Sequence, residues 1–286
     1  MNTSAATDAG TLVETIRSAA SKGELVLPPL PALASRLTNL LKDEEKCDAH
    51  AVADLLKNDP ATFATVLRVA NSASFRGLKP ITDLGQAIAR LGLRQVGSIV
   101  TAISHKGQFQ SGHPDRAKLL EALWDHSVAV ALGAKRLAVL GRSDGEQAFL
   151  AGLLHDTGRL VVIKWIDEAE RRSPTMHFTA DLTDELMETL HAELGHRTLI
   201  AWKIPEPICG VALNHHLEHV PADDLLLLRV QAADAFARKL GSHMKPAPEL
   251  DLLEIPAVES LRISELDLAA LMVDLEDEIA HVRSLL

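Results

Sequence analysis

Seven ionisable residues stand where apolar ones belong. His126 sits between Leu123 and Val130 on a stripe spaced by threes and fours, and His155-Asp156 closes the apolar run Phe149-Leu150-Ala151-Gly152-Leu153-Leu154. His191 lies beside the Met187, Leu190 and Leu194 face. His215 follows Ile208, Val211 and Ala212 at helical spacing with His216 next to it, and Asp234 continues the stripe of Leu227 and Val230. Each such group, buried without a partner, costs roughly 1–3 kcal/mol. Taken singly, a hydrogen-bonded core histidine is the simplest solution, and Asp156 could bond backbone near Gly158. Taken together, one or two divalent cations satisfy them all, because neutral imidazoles supply nitrogen ligands and carboxylates add charge and can bridge two metals. Fe, Mn, Zn and Ni suit such a donor set about equally. Five of the thirteen histidines are used in this way. His50, His105, His113, His177, His196, His219, His243 and His281 stand in polar contexts or loops and read as surface residues.

The elements that must position these groups read as helices, with no alternating apolar run suggesting a strand. Thr11 and Glu14 have the spacing of a capping box. Pro28-Pro29-Leu30-Pro31 forces an extended entry, Asp48 can cap the next helix, and Pro60 suits the first position of another. Shorter helices over 82–91 and 93–104 follow, then a long one from Pro114. A helix over about 143–156 should break near Gly158, 167–181 should be loop, and helices should cover about 183–203, 206–217, 222–240 and 264–284. Asn71 and Arg68 read as a helix end and a locally paired side chain. The expected fold is all-α, in two packed helical lobes. The expected divisions are a lead segment and helix at 1–22, an N-terminal lobe at 23–110, a second lobe at 111–241 and a C-terminal helical extension at 242–286.

Composition narrows the function. The chain has 286 residues, 47% hydrophobic and only 3% aromatic, with no Tyr, so Leu, Ala, Val and Ile must build the core. A formal charge of -10 argues against wrapping nucleic acid or docking on an acidic membrane. Cys47 and Cys209 lie far apart without CxxC spacing, the first residues lack a basic segment followed by an apolar run, and no uncharged apolar run is long enough to span a bilayer. The expectation is a soluble, cytoplasmic chain in a reducing compartment.

The order His126, His155-Asp156, Asp234 resembles the HD superfamily of metal-dependent phosphohydrolases, so the second lobe is expected to be HD-domain-like. His191 and His215-His216 resemble the fuller ligand set of the HD-GYP branch, which hydrolyses cyclic di-GMP. Leu27-Pro28-Pro29-Leu30-Pro31, Asp59-Pro60, Arg68-Val69-Ala70-Asn71-Ser72-Ala73-Ser74-Phe75, Ala87-Ile88-Ala89-Arg90-Leu91-Gly92 and Ala201-Trp202-Lys203-Ile204-Pro205 resemble the HDOD family of bacterial signalling proteins. The resemblance covers about residues 25–240 and implies a metal set of His126, His155, Asp156, His191, His215, His216 and Asp234. Many HDOD members have lost ligands that this chain keeps. The Gly-Tyr-Pro signature of HD-GYP is absent, since Leu217-Glu218-His219-Val220-Pro221 follows the histidine pair. Arg159 replaces the usual Lys after His155-Asp156-Thr157-Gly158 and suits a phosphate bidentately. The leading expectation is therefore a signalling module acting through other signalling proteins or a nucleotide ligand. The alternative is a phosphohydrolase acting on a nucleotide or cyclic nucleotide, with Asp156 serving a metal-bound water and Arg159 the phosphate.

Overall fold

A computed structural model describes residues 9–23, 25, 27–42, 48–56, 59–72, 80–173 and 175–285. The fold is all-α, with no strand among the described residues. Cys47 and Ala73-Ser74-Phe75 lie outside them.

Helices α2 (Ala32–Lys42), α3 (Ala49–Leu56), α4 (Pro60–Ala70), α5 (Leu84–Leu91) and α6 (Leu93–Lys106) follow α1 (Ala9–Ser21) in the chain. Asp48 caps α3 through the Ala51 amide at 2.7 Å, and Asp59 caps α4 through Thr62 at 3.0 Å with Pro60 at the first helical position. The apolar faces of α2 to α6 close a small core around Leu37, Val52, Leu56, Val66, Ile88 and Val100. Asn71 ends α4 and exchanges two hydrogen bonds with the Ile81 backbone, at 2.8 and 2.7 Å, while Arg68 donates to Thr65 Oγ1. Both residues serve the architecture of this lobe.

The second group begins with α7 (Pro114–Leu140), α8 (Gly145–Leu154) and α9 (Thr157–Arg172). It continues through α10 (Ala180–Ala201), α11 (Glu206–Asn214), α12 (Leu225–Lys239), α13 (Pro256–Ser260) and α14 (Glu265–Leu285). Buried Leu, Ala, Val and Ile dominate its interior, as the scarcity of aromatics requires. Two helices cross chain order. The Leu12, Val13 and Ile16 face of α1 packs on α10 and joins the buried cluster that α10 forms with α7 and α9, and α14 lies along α7 with Leu275 and Ile279 buried. The Pro-rich segment is pinned to the second group, where Trp202 Nε1 donates to the Pro28 carbonyl at 2.8 Å.

Three local expectations are corrected. Thr11 lies inside α1, with Ala9 and Gly10 already helical before it. Helix α9 runs on to Arg172, leaving a shorter connection to α10. The helix break falls at His155-Asp156, and Gly158 lies within α9, where it permits contact between helices.

Candidate metal centre

His126 projects from the middle of α7 and His155-Asp156 forms the turn between α8 and α9. His191 lies on α10, His215-His216 just past the end of α11, and Asp234 on α12. Two glycines bring these elements together. A Cβ on Gly152 would stand 2.8 Å from the Val130 carbonyl oxygen on α7, and one on Gly158 would stand 1.8 Å from the His191 carbonyl oxygen on α10. The His-Asp turn is therefore held between two backbone-to-backbone helix contacts, one beside each flanking histidine.

All seven predicted residues meet around Asp156. Its Oδ2 lies 3.7 Å from His126 Nε2 and 3.5 Å from His155 Nε2, and its Oδ1 lies 3.6 Å from His191 Nε2 and 3.5 Å from His215 Nε2. Asp234 Oδ1 is 3.2 Å from His126 Nε2, and His216 Nε2 is 2.8 Å from His191 Nε2. Asp156 thus divides the cluster into two halves, with one carboxylate oxygen facing each.

The ring orientations carry the chemical meaning. Nδ1 of His155 faces Gly152 O at 2.7 Å, that of His191 faces Met187 O at 2.7 Å, and that of His215 faces Ala212 O at 3.0 Å. Nδ1 of His126 faces Ser242 O at 3.0 Å. A carbonyl can only accept, so each Nδ1 carries a proton, and in the neutral ring each Nε2 turns a bare lone pair inward. His191 and His215 then oppose two lone pairs at 3.2 Å. His126 Nε2 and Asp156 Oδ1 are buried without an aligned hydrogen-bond partner among the described residues. A cation resolves these conflicts together, and outward imidazole-to-carbonyl bonds are the usual support of metal-bound histidine. The donor set fits divalent metal.

Protonation follows the same logic. Burial pushes His155 down to about 3 and, with His215 and His191 nearby, His216 to about 4. Burial alone would raise Asp156, but His155, Arg159 and His215 hold its carboxyl well below the usual range. Asp234 is likewise lowered, because His126 outweighs its burial. Neutral imidazoles and ionised carboxylates are the states metal binding requires. His126 departs from them: burial works against its charge, yet Asp234 and Asp156 raise its pKa overall. Cation binding in that half therefore competes with protonation of His126.

Three residues need correction or fuller description. Arg159 is 3% exposed and committed to its own chain, its Nε donating to Asp156 Oδ2 at 3.0 Å and its Nη1 to Glu188 at 3.1 Å. His243, expected at the surface, is half-buried with its ring 4.6 Å from that of His126, and it groups with His126 and Asp234 as a further donor. No helical stripe marks it, because it lies in the turn after α12. His105, also expected outside, is 2% exposed and packs edge-on against Phe109 and Trp202. His219 is exposed and His196 half-exposed. An apolar cavity of about 560 Å³ between α6, α7 and α14 shares no residue with the histidine cluster, so donor chemistry rather than volume identifies the site.

Comparison with known proteins places this geometry. The HDOD domain family model matches residues 27–218. An HDOD domain protein of unknown function from Geobacter sulfurreducens superposes with a TM-score of 0.71 at 25% identity, over 95% of this chain and 97% of the other. A Shewanella amazonensis protein provisionally named a metal-dependent phosphohydrolase superposes at 0.75 with 22% identity over the same shares, 95% and 97%, a likeness of fold. An uncharacterised protein of Treponema pallidum is 25% identical over 223 residues, 73% of this chain and 42% of its own length. The chain spans less than half the length of the curated relatives it matches.

Proposed function

The chain belongs to the HDOD family, and from that premise we propose that it is a bacterial signalling module whose HD-like lobe holds divalent metal across the Asp156 carboxylate. The observation that carries this reading is the inward turn of four Nε2 atoms onto the two oxygens of one buried aspartate. His126, His155 and Asp234 would hold the cation on one side, with His243 as a further donor. His191, His215 and His216 would hold it on the other. Iron, manganese, zinc or nickel all match these donors.

Regulation is favoured over turnover by what surrounds the metal ligands. When bound, the cation polarises a phosphoryl oxygen and acidifies a bound water. Turnover also needs a substrate held in line with that water. Arg159, the expected phosphate partner, is spent on orienting Asp156 and Glu188. The nearby exposed cation Lys245 is paired with Asp184 at 2.8 Å and Glu188 at 3.2 Å. A chain of charge -10 attracts a dianionic nucleotide weakly. The module would then act by binding other signalling proteins or a nucleotide, its input coming from a partner. Neither nucleic acid nor membrane is among the proposed partners, and no described helix is long and apolar enough to cross a membrane.

The second reading, a metal-dependent phosphohydrolase of nucleotides or cyclic nucleotides, is favoured by the completeness of the ligand set. In it Asp156 would serve the metal-bound water. Elemental analysis of protein purified without chelator, followed by a cyclic-nucleotide screen after Fe, Mn or Zn reconstitution, separates the readings. Bound metal with ligand binding and no turnover is expected. Multiple turnovers that vanish in the His155→Ala/Asp156→Ala double variant would put the hydrolase first. A parent chain that retains and takes up no metal would remove the centre altogether.

A further inference from the structure

The histidines of the centre differ in what holds them. His155, His191 and His215 each bond a carbonyl three or four residues back in their own chain segment. His126 instead depends on the carbonyl of Ser242, which lies in the turn after α12. That turn also carries His243. Its start is set locally: Gly241 takes φ +78°, and the Ser242 amide bonds back to the Ala237 carbonyl at 2.8 Å, closing α12 with a Schellman-type turn.

Its outer side is set by α14. Arg283, in the last turn of that helix, donates through Nη2 to Ser242 Oγ at 3.1 Å. Its Nε pairs with Asp125 Oδ2 at 3.0 Å. Asp125 is the neighbour of His126 on α7, so one guanidinium ties the ligand-bearing helix to the turn that orients the ligand. Ser242 is 2% exposed, and among the described residues its hydroxyl bonds to Arg283. The rest of α14 is anchored independently, by buried Leu275 and Ile279 and by Arg136 of α7 reaching Asp274 and Glu278. Losing Arg283 therefore releases the turn without unseating the helix. Ser242, His243 and Arg283 all lie beyond the residues that the family model matches.

We propose that Arg283 is a positioning residue for one half of the centre: by bridging Asp125 and Ser242 it sets the orientation of His126 and the approach of His243. The proposal rests on the metal-binding reading above. The half built on His191, His215 and His216 touches neither Ser242 nor Arg283 and is independent of it.

The test is calorimetric titration of the metal-free full chain with Mn²⁺, comparing the parent with Arg283→Gln, Arg283→Lys and Ser242→Ala. The parent is expected to show two classes of site. Arg283→Gln should weaken one class about tenfold or more, as loss of an orienting outer contact does, and leave the other unchanged. Arg283→Lys should recover part of the loss, since an ammonium can reach one acceptor but lacks the planar fork that spans both. Ser242→Ala removes Oγ while keeping the carbonyl, and it should weaken the same class; it decides the matter if Arg283→Gln does not fold. A metal-independent readout is the imidazole Nδ1 proton of His126 by NMR, expected to exchange faster in Arg283→Gln. Parent protein that takes up no Mn²⁺ overturns the metal reading and this proposal with it. Parent protein that binds Mn²⁺, with variants that change neither class or both classes equally, overturns the positioning role alone.

Discussion

On one side of Asp156, His191 and His215 are oriented by the backbone of their own segments, and His216 completes a group made only of imidazoles. On the other, His126 is oriented across the fold by Ser242, and Asp234 and His243 arrive from a different helix and its following turn. Burial pushes His155, His191, His216 and His243 towards the neutral form, whereas at His126 the Asp234 and Asp156 carboxylates outweigh burial and push it towards the charged one. A locally built half keeps its geometry as long as its helices exist. The other half shares that local support only at His155, and its His126 depends on tertiary contacts that can be loosened one at a time.

Removing what the halves share should have the largest effect. Asp156→Ala is expected to abolish binding in both classes, measured as metal per chain after dialysis; survival of one class would show that the aspartate serves a single half. The glycine contacts come next. Gly158→Ala forces a Cβ against the His191 carbonyl and should cost about 4 kcal/mol in denaturant unfolding, in the range of severe core overpacking. Any folded fraction should lose affinity in the His191 half first. Gly152→Ala, clashing beside Val130, should disturb the His126 half instead.

Acid provides a third comparison. His105 lies outside both halves, and burial lowers its pKa from 6.5 to about 4. The unfolded chain therefore takes up a proton as pH falls below 6.5 while the folded chain does not, so this contribution to stability is complete above pH 6.5 and is lost down to about pH 4. The loss amounts to about 3 kcal/mol. His105→Leu should flatten that slope in urea midpoints measured across the window, while leaving Mn²⁺ affinity at pH 7.5 unchanged. In this background, any remaining acid effect on metal binding belongs to the site itself. The smallest effects should come from the outermost donors: His216→Ala and His243→Ala should each weaken one class about tenfold, and not the same class. Identical effects from the two would erase the distinction between halves.

Much of this was legible in the chain. The periodicity of small aliphatic residues predicts an all-α fold, and the seven ionisable residues that interrupt it are the ones the structure gathers, because a polar group on an apolar helix face must find a partner inside. The same signal has a different meaning elsewhere: Asn71, also polar at a helix end, merely closes the connection to Ile81. What escaped were residues whose burial comes from elements remote in the chain. His243 stands in a polar turn and His105 near the end of α6, and neither local context reveals the helix that covers it. Arg159 read as a free phosphate partner because its neighbour Glu188 is twenty-nine residues away.

Local composition thus determined the helices, the donor types and the orientation of His155, His191 and His215, since a histidine can reach a carbonyl three or four residues behind it without help from the rest of the fold. Only the tertiary structure decided how the donors divide around Asp156, that His243 joins them and that Arg283 braces His126. Those outcomes depend on where whole helices cross, at Gly152 and Gly158, and on a turn after α12 meeting the last turn of α14, forty-one residues further along the chain. Helix periodicity records which face of an element is buried, but not which partner buries it.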